Sequence, residues 1–209
     1  MKKIKIIDVT LVITTLVCAL SIVPGIVMWD KLPDLMATHF DINGTPNGYM
    51  SKASAVFSLP ILMIFSNIVM NISYKLSSQP VHKMLKFSFS WIIPIVTAVV
   101  CSSTYLYNLG IEHNIIFVAE LLLAFIFIMM GNYIPKTPDD LINIPGIAKN
   151  DNSEETINLK RRIARQLGIS MVITGFAILI TSFTPIYKIS FTVILILEIL
   201  FSFIIILKK

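Results

Sequence analysis

The side chains of this 209-residue chain that could do chemistry are few: three histidines, two cysteines and two carboxylates set inside long apolar runs. The carboxylates are Glu120 and Glu198. No Lys, Arg or His falls within the apolar runs, so neither acid has a cationic partner there. An unpaired charge in lipid costs about 3 kcal/mol or more, so each is a candidate for an ion or substrate pathway. The competing reading is a carboxyl hydrogen-bonded to a Ser, Thr or Asn of a neighbouring helix. His39, Asp41 and His113 together offer a zinc-like donor set, but their spacing does not require one, and no metal is assigned. His82, beside Lys83, reads as a solvated residue. Cys18 and Cys101 lie in separate apolar runs without knuckle or disulfide spacing and read as small buried hydrophobes. There is no P-loop, nucleophile elbow, His-Glu-x-x-His or glycine-rich dinucleotide turn, and no nucleophile–base pair is identifiable. The sequence therefore points away from an enzyme and implies no cofactor.

A second set of candidates occupies the polar stretch Asp30–Lys52. Asn43-Gly44 can take the left-handed angles of a tight hairpin, and Asn47-Gly48 after Pro46 suits a second turn. Thr38, Phe40 and Ile42 alternate with His39 and Asp41 as in a short strand. The pattern predicts a small folded hairpin whose ligand-binding candidates are His39, Asp41, Asn43, Gly44, Pro46 and Tyr49.

The elements that must position these residues are helices in a membrane. The chain is 56% hydrophobic and 14% charged, with mean hydropathy +0.82, against about 25% charged residues in soluble domains. A span needs about 20 apolar residues. Six runs qualify: Val9–Trp29, Ser54–Ser73, Phe87–Leu109, Ile115–Ile134, Leu167–Ile186 and Ile189–Leu207. The first has a basic start (Lys2, Lys3, Lys5) but no small-x-small cleavage site, and reads as a retained helix rather than a signal peptide. Fourteen of the 17 Lys and Arg fall in segments 1–8, 74–86, 135–166 and 208–209; the others are Lys31, Lys52 and Lys188. The positive-inside rule then puts both termini in the cytoplasm and Asp30–Lys52 outside. The expected fold is an all-α polytopic membrane protein, with six transmembrane helices and a small extracytoplasmic hairpin between the first two. Its net charge of +5 follows this topology and does not indicate nucleic-acid binding. The expected organisation is a two-helix unit, 1–86, and a four-helix unit, 87–209.

Within this frame Pro24-Gly25 predicts a kink in the first span. Asn67 and Asn71, one turn apart, read as interhelical hydrogen-bonding groups. In the inner loop 135–166, Asn152 with Glu155 reads as a capping box starting a helix near Ser153. The Lys160, Arg161, Arg162 and Arg165 set, interleaved with Ile157, Leu159, Ile163 and Leu167, predicts an amphipathic helix lying on the anionic inner leaflet or docking a partner. The spans contain no GxxxG, and a short outer turn at Pro185-Ile186-Tyr187-Lys188 joins the last two.

Two motifs carry a resemblance. Leu32-Pro33-Asp34, Thr38-His39-Phe40, Asn43-Gly44-x-Pro46-x-Gly48-Tyr49 and Ser51-Lys52 resemble the opening signature of SdpI-type bacterial membrane proteins. Gly131-Asn132-Tyr133-Ile134-Pro135-Lys136 resembles the Gly-Asn-x-x-Pro-Lys element of the same family. The following segment departs: Ile142-Asn143-Ile144-Pro145-Gly146 stands where many relatives have Gly-x-Arg-Thr-Pro-Trp, and of the Ser-Asn-Glu-Glu that follows there only Ser153-Glu154-Glu155 and a later basic residue, Arg162, survive in part. The resemblance implies a multi-pass plasma-membrane immunity protein that protects against a secreted toxic peptide. It also implies a signalling role, in which a cytoplasmic transcriptional repressor is held at the membrane. The alternative drawn from the residues themselves is a small proton-coupled transporter or permease using Glu120 and Glu198.

Overall fold

In the computed structural model, residues 8–76, 83–111, 113–138, 142, 153–184 and 187–207 are described. The Lys2, Lys3, Lys5, His82, Glu112, Asn143–Gly146, Asn152, Pro185 and Ile186 readings lie outside them. The Asp8 carboxylate caps the first helix by accepting from Leu11 N at 2.9 Å. Helix α1 runs Val9–Leu20 and α2 Val23–Val27; the chain breaks at Ser21-Ile22, just ahead of the predicted kink residues Pro24-Gly25, which lie inside α2. A 3-10 turn, Trp29–Lys31, leads into an antiparallel hairpin of β1 (Leu35–Phe40) and β2 (Pro46–Ser51). Then come α3 (Lys52–Leu76), α4 (Lys83–Asn108), α5 (Ile115–Tyr133), a 3-10 turn at Ile134–Lys136, α6 (Glu154–Thr181) and α7 (Tyr187–Leu207).

The protein is mostly helical, and among the described residues five helical stretches are long and apolar enough to cross a membrane: Val9–Val27, Lys52–Ser73, Lys86–Asn108, Ile115–Lys136 and Glu154–Thr181. The sixth predicted span falls in α7, which contains the shorter apolar stretch Val193–Ser202.

Two compact units divide the chain. The first comprises Met1–Leu76 with Phe87–Ala119, the second Ser77–Lys86 with Glu120–Lys209. In the first unit, buried amides and hydroxyls join α1, α3 and α4. Asn67 donates to Thr14 and Thr15 (3.0 and 3.1 Å), Asn71 donates to the Asn67 carbonyl (2.9 Å), and Ser90 donates to Asn71 (2.9 Å). The break after α1 is held by the Tyr105 hydroxyl, which donates to the carbonyls of Ser21 and Val56. Gly25 lets this packing close, since a Cβ there would stand 2.8 Å from Val56 and 3.0 Å from Tyr105.

In the second unit α5 and α6 pack through small residues. A Cβ on Gly131 would meet the Gly168 carbonyl at 2.6 Å, and one on Gly175 the Ala124 carbonyl at 2.9 Å. Ala124 and Gly131, and Gly168 and Gly175, are each one heptad apart, so two antiparallel helices meet twice at bare backbone. Ser153 caps α6 by accepting from Thr156 N, and the helix is unbroken from Glu154 to Thr181. That corrects the expected surface helix: the basic segment continues the axis of the apolar one. At 1.5 Å per residue the whole is about 42 Å long, more than the ~30 Å hydrocarbon core.

Candidate functional site

The hairpin is built from its loop outward. Gly44 has φ +79°, the left-handed conformation expected of it, but Asn43 does not. The loop is Asp41–Thr45 rather than a two-residue turn, because the Asp41 carboxylate gathers it: Oδ1 accepts from Asn43 N and Thr45 N, both at 2.8 Å. Backbone bonds from Asp41 N to the Thr45 carbonyl (2.9 Å) and from Gly44 N to the Asp41 carbonyl (3.0 Å) close it. Asp41 is thus a structural organiser, the Asx device that competes with regular turns. Pro46-Asn47-Gly48 lies inside β2 and forms no second turn. The register passes from Ala37 opposite Tyr49 to His39 opposite Gly48, then Phe40 opposite Pro46. Thr38 and Asn47 are therefore extra residues on opposite strands, two bulges whose offsets cancel. Gly48 makes room for its partner, since a Cβ there would stand 2.8 Å from His39 Cβ.

The hairpin is seated firmly on one end of the first unit. Beneath it Met36, fully buried, packs with Leu32, Ala55, Val56, Cys101 and Tyr105. Asn108, the last residue of α4, clamps β1: its Oδ1 accepts from Ala37 N at 2.8 Å and its Nδ2 donates to the Ala37 carbonyl at 2.9 Å. A side-chain amide thus does what a neighbouring strand would do. Lys52 closes the base, pairing with Asp34 at 3.1 Å and standing 5.6 Å over the Trp29 ring. Phe40 meets Tyr107 edge-on at 4.7 Å, and the Gly44 tip approaches Ile115 and Ile116 at the start of α5.

His39 and His113 do not meet in a metal centre. His39 is exposed and hydrogen-bonds through Nδ1 to Asn47. In the neutral His113 ring, Nδ1–H donates to the Ile111 carbonyl (3.0 Å) and Nε2 accepts from Ser103 (2.9 Å). Among the described residues no group of three metal-ligating side chains forms. What the hairpin does present is apolar: Leu35, Ile42, Tyr49 and Met50 are 62, 64, 53 and 45% exposed. Of the predicted binding residues, Tyr49 and His39 lie on the exposed surface, Pro46 is half-buried, and Asp41 and Gly44 shape the loop.

The two acids, both in the second unit, differ. Glu198 accepts from Ser170 (2.9 Å) and Ser202 (3.3 Å) on Oε1 and from Thr174 (2.8 Å) on Oε2. Glu120 is 2% exposed and neither oxygen has a hydrogen-bond partner among the described residues. The nearby Ser182 hydroxyl donates to the Ile178 carbonyl at 2.8 Å instead. The Gly131-Asn132-x-x-Pro135-Lys136 element is a packing device: Gly131 and Pro135 both face Gly168, at which a Cβ would stand 2.5 Å from Pro135 Cγ. Asn132 is exposed, and Lys136 stands 4.5 Å over Tyr133. Of the basic set, Lys160 is buried while Arg161, Arg162 and Arg165 are exposed. Arg161 and Arg165 border a hollow of about 310 Å³ with Lys136.

Sequence reasoning missed Asn108, the Ser170–Thr174 pair and the paired small residues. The last two carry periodic signals, Ser170 and Thr174 at i, i+4 and the glycines at heptad spacing. Asn108 carries none.

Residues 16–64 match the model of a family described as a domain of unknown function, DUF1648, a domain found in SdpI-type membrane proteins. The match runs from within α1, through the whole hairpin, into α3. No curated protein and no solved structure matches the chain.

Proposed function

We propose that this chain is an integral protein of the bacterial plasma membrane, with six spans and both termini cytoplasmic, that protects the cell against a secreted toxic peptide. The outward hairpin is its binding surface. The observation that carries this reading is the hairpin itself: a polar loop clamped from below that nevertheless holds Leu35, Ile42, Tyr49 and Met50 in the open. Fixing the backbone in advance lowers the ordering cost of binding, and exposed aromatic and aliphatic side chains suit the apolar side of an amphipathic peptide. His39, Asn43 and Asn47 are exposed polar side chains of the same hairpin. The family match over residues 16–64 supports the reading because it spans this same element. On the cytoplasmic side, Arg161, Arg162 and Arg165 are the residues available to the lipid surface or to a captured repressor, and Lys160 is not.

The test is survival. The chain is expressed in a sensitive bacterium, challenged with secreted antimicrobial peptides, and compared with an Asn43→Ala, Gly44→Ala variant at matched membrane abundance. Alanine at the positive φ of Gly44 is strained, so the loop should deform and protection should disappear. Equal protection by the variant would count against the hairpin as the binding surface.

A further inference from the structure

Glu198 lies near the middle of α7 in a groove between α6 and α7 of about 690 Å³, the size of a drug-like ligand site. The walls are apolar, including Ile169, Ile173 and Ala177 of α6 and Ile194, Leu197 and Phe201 of α7. Ile173 and Leu197 are 63 and 60% exposed, so the groove opens at the side. Among the described residues no Lys, Arg or His lines it. The carboxylate is 8% exposed and is fixed in place from α6 by Ser170 and Thr174 and from α7 by Ser202. A carboxylate has about four acceptor sites. Three are taken by hydroxyls, which leaves acceptor capacity on Oε2, turned to the groove.

We propose that the α6–α7 groove binds a membrane-soluble organic cation of drug size, its charge against Glu198 and its apolar body against the isoleucine, leucine and Phe201 walls. Charge complementarity selects this occupant. An anion of the same shape meets the carboxylate unfavourably, and a neutral chain leaves it without a counter-charge in a medium of low dielectric. Phe201, one turn from Glu198, adds a ring face suited to a cation. The site lies within the second unit and does not depend on what the hairpin binds.

The test is titration calorimetry on the detergent-solubilised full chain with tetraphenylphosphonium and tetraphenylborate, a cation and an anion of nearly the same size and shape. The cation should bind one per chain at least tenfold more tightly than the anion. Glu198→Gln should abolish that preference, and Ala177→Phe, which fills the groove but keeps the carboxylate and its three hydroxyls, should abolish cation binding. Both variants are checked for helical content and melting by circular dichroism, and the second decides the matter if the first does not fold. Equal affinity for the two ions, or cation binding unchanged in folded Glu198→Gln or Ala177→Phe, would overturn the proposal.

Discussion

Replacing Asn108 by Ala should release the hairpin without unfolding the helices beneath it. Asn108 supplies both partners of the Ala37 peptide groups, at 2.8 and 2.9 Å, and Ala37 is only 4% exposed. Truncation leaves a donor and an acceptor unpaired in a site that admits little water. An orphaned buried polar group costs about 1–3 kcal/mol, and partial water entry lowers the sum, so local opening should become easier by about 2–4 kcal/mol. At about 1.4 kcal/mol per tenfold, that is roughly 30- to 1,000-fold faster amide exchange. The assay is hydrogen–deuterium exchange by mass spectrometry in lipid nanodiscs, following peptides that cover residues 32–45. Met36 and the Lys52–Asp34 base should keep the hairpin near its seat, so peptides from α3 and α4 should stay protected. Exchange in β1 within about threefold of the unaltered chain would refute the clamp.

Other substitutions test the rest of the framework. Met36→Ala should leave a cavity under the hairpin and lower stability by about 2–5 kcal/mol, read as the midpoint of thermal or denaturant unfolding. Gly168→Ala forces a Cβ to 2.5 Å from Pro135 and 2.6 Å from the Gly131 carbonyl; it should cost about 1–3 kcal/mol and lower the melting temperature. Asn67→Leu removes the bonds to Thr14 and Thr15 and should cost about 1–2 kcal/mol, seen as a lower melting temperature in detergent. Thr174→Val takes the donor from Glu198 Oε2 while keeping the shape, and should destabilise the chain by about 1–3 kcal/mol in the same assay.

The helices were legible in the sequence because lipid imposes length and apolarity on each span: the first four predicted runs match apolar helical stretches within a few residues, whereas Leu167–Ile186 took only the apolar part of the longer Glu154–Thr181. The hairpin was legible from its turn residues, but its geometry was not. Asn43-Gly44 satisfies the rule for a two-residue turn, and only the Asp41 carboxylate, with two backbone donors in reach, decides for the longer loop. Likewise Asn47-Gly48 is a turn signal in isolation. It lies in β2 because Gly48 pairs with His39, where no larger residue fits. The basic set at 160–165 has the amphipathic period of a surface helix, and nothing local reveals that the helix continues without a break through Gly168. Contacts that depend on chain separation, such as Asn108 on Ala37 and Ser170 on Glu198, leave no short-range trace.

The most direct measurement of the central claim removes the exposed face of the hairpin and leaves its seat alone. In Leu35→Ala combined with Tyr49→Ala, two side chains 62 and 53% exposed, which the strand register places on one face, are truncated, and Met36, Asn108 and Asp41 are untouched. Survival against secreted antimicrobial peptides is scored at matched membrane abundance, with hydrogen exchange of residues 32–45 as the check on folding. Lost protection with unchanged exchange is the predicted result. Full protection with the exposed face removed would contradict the account.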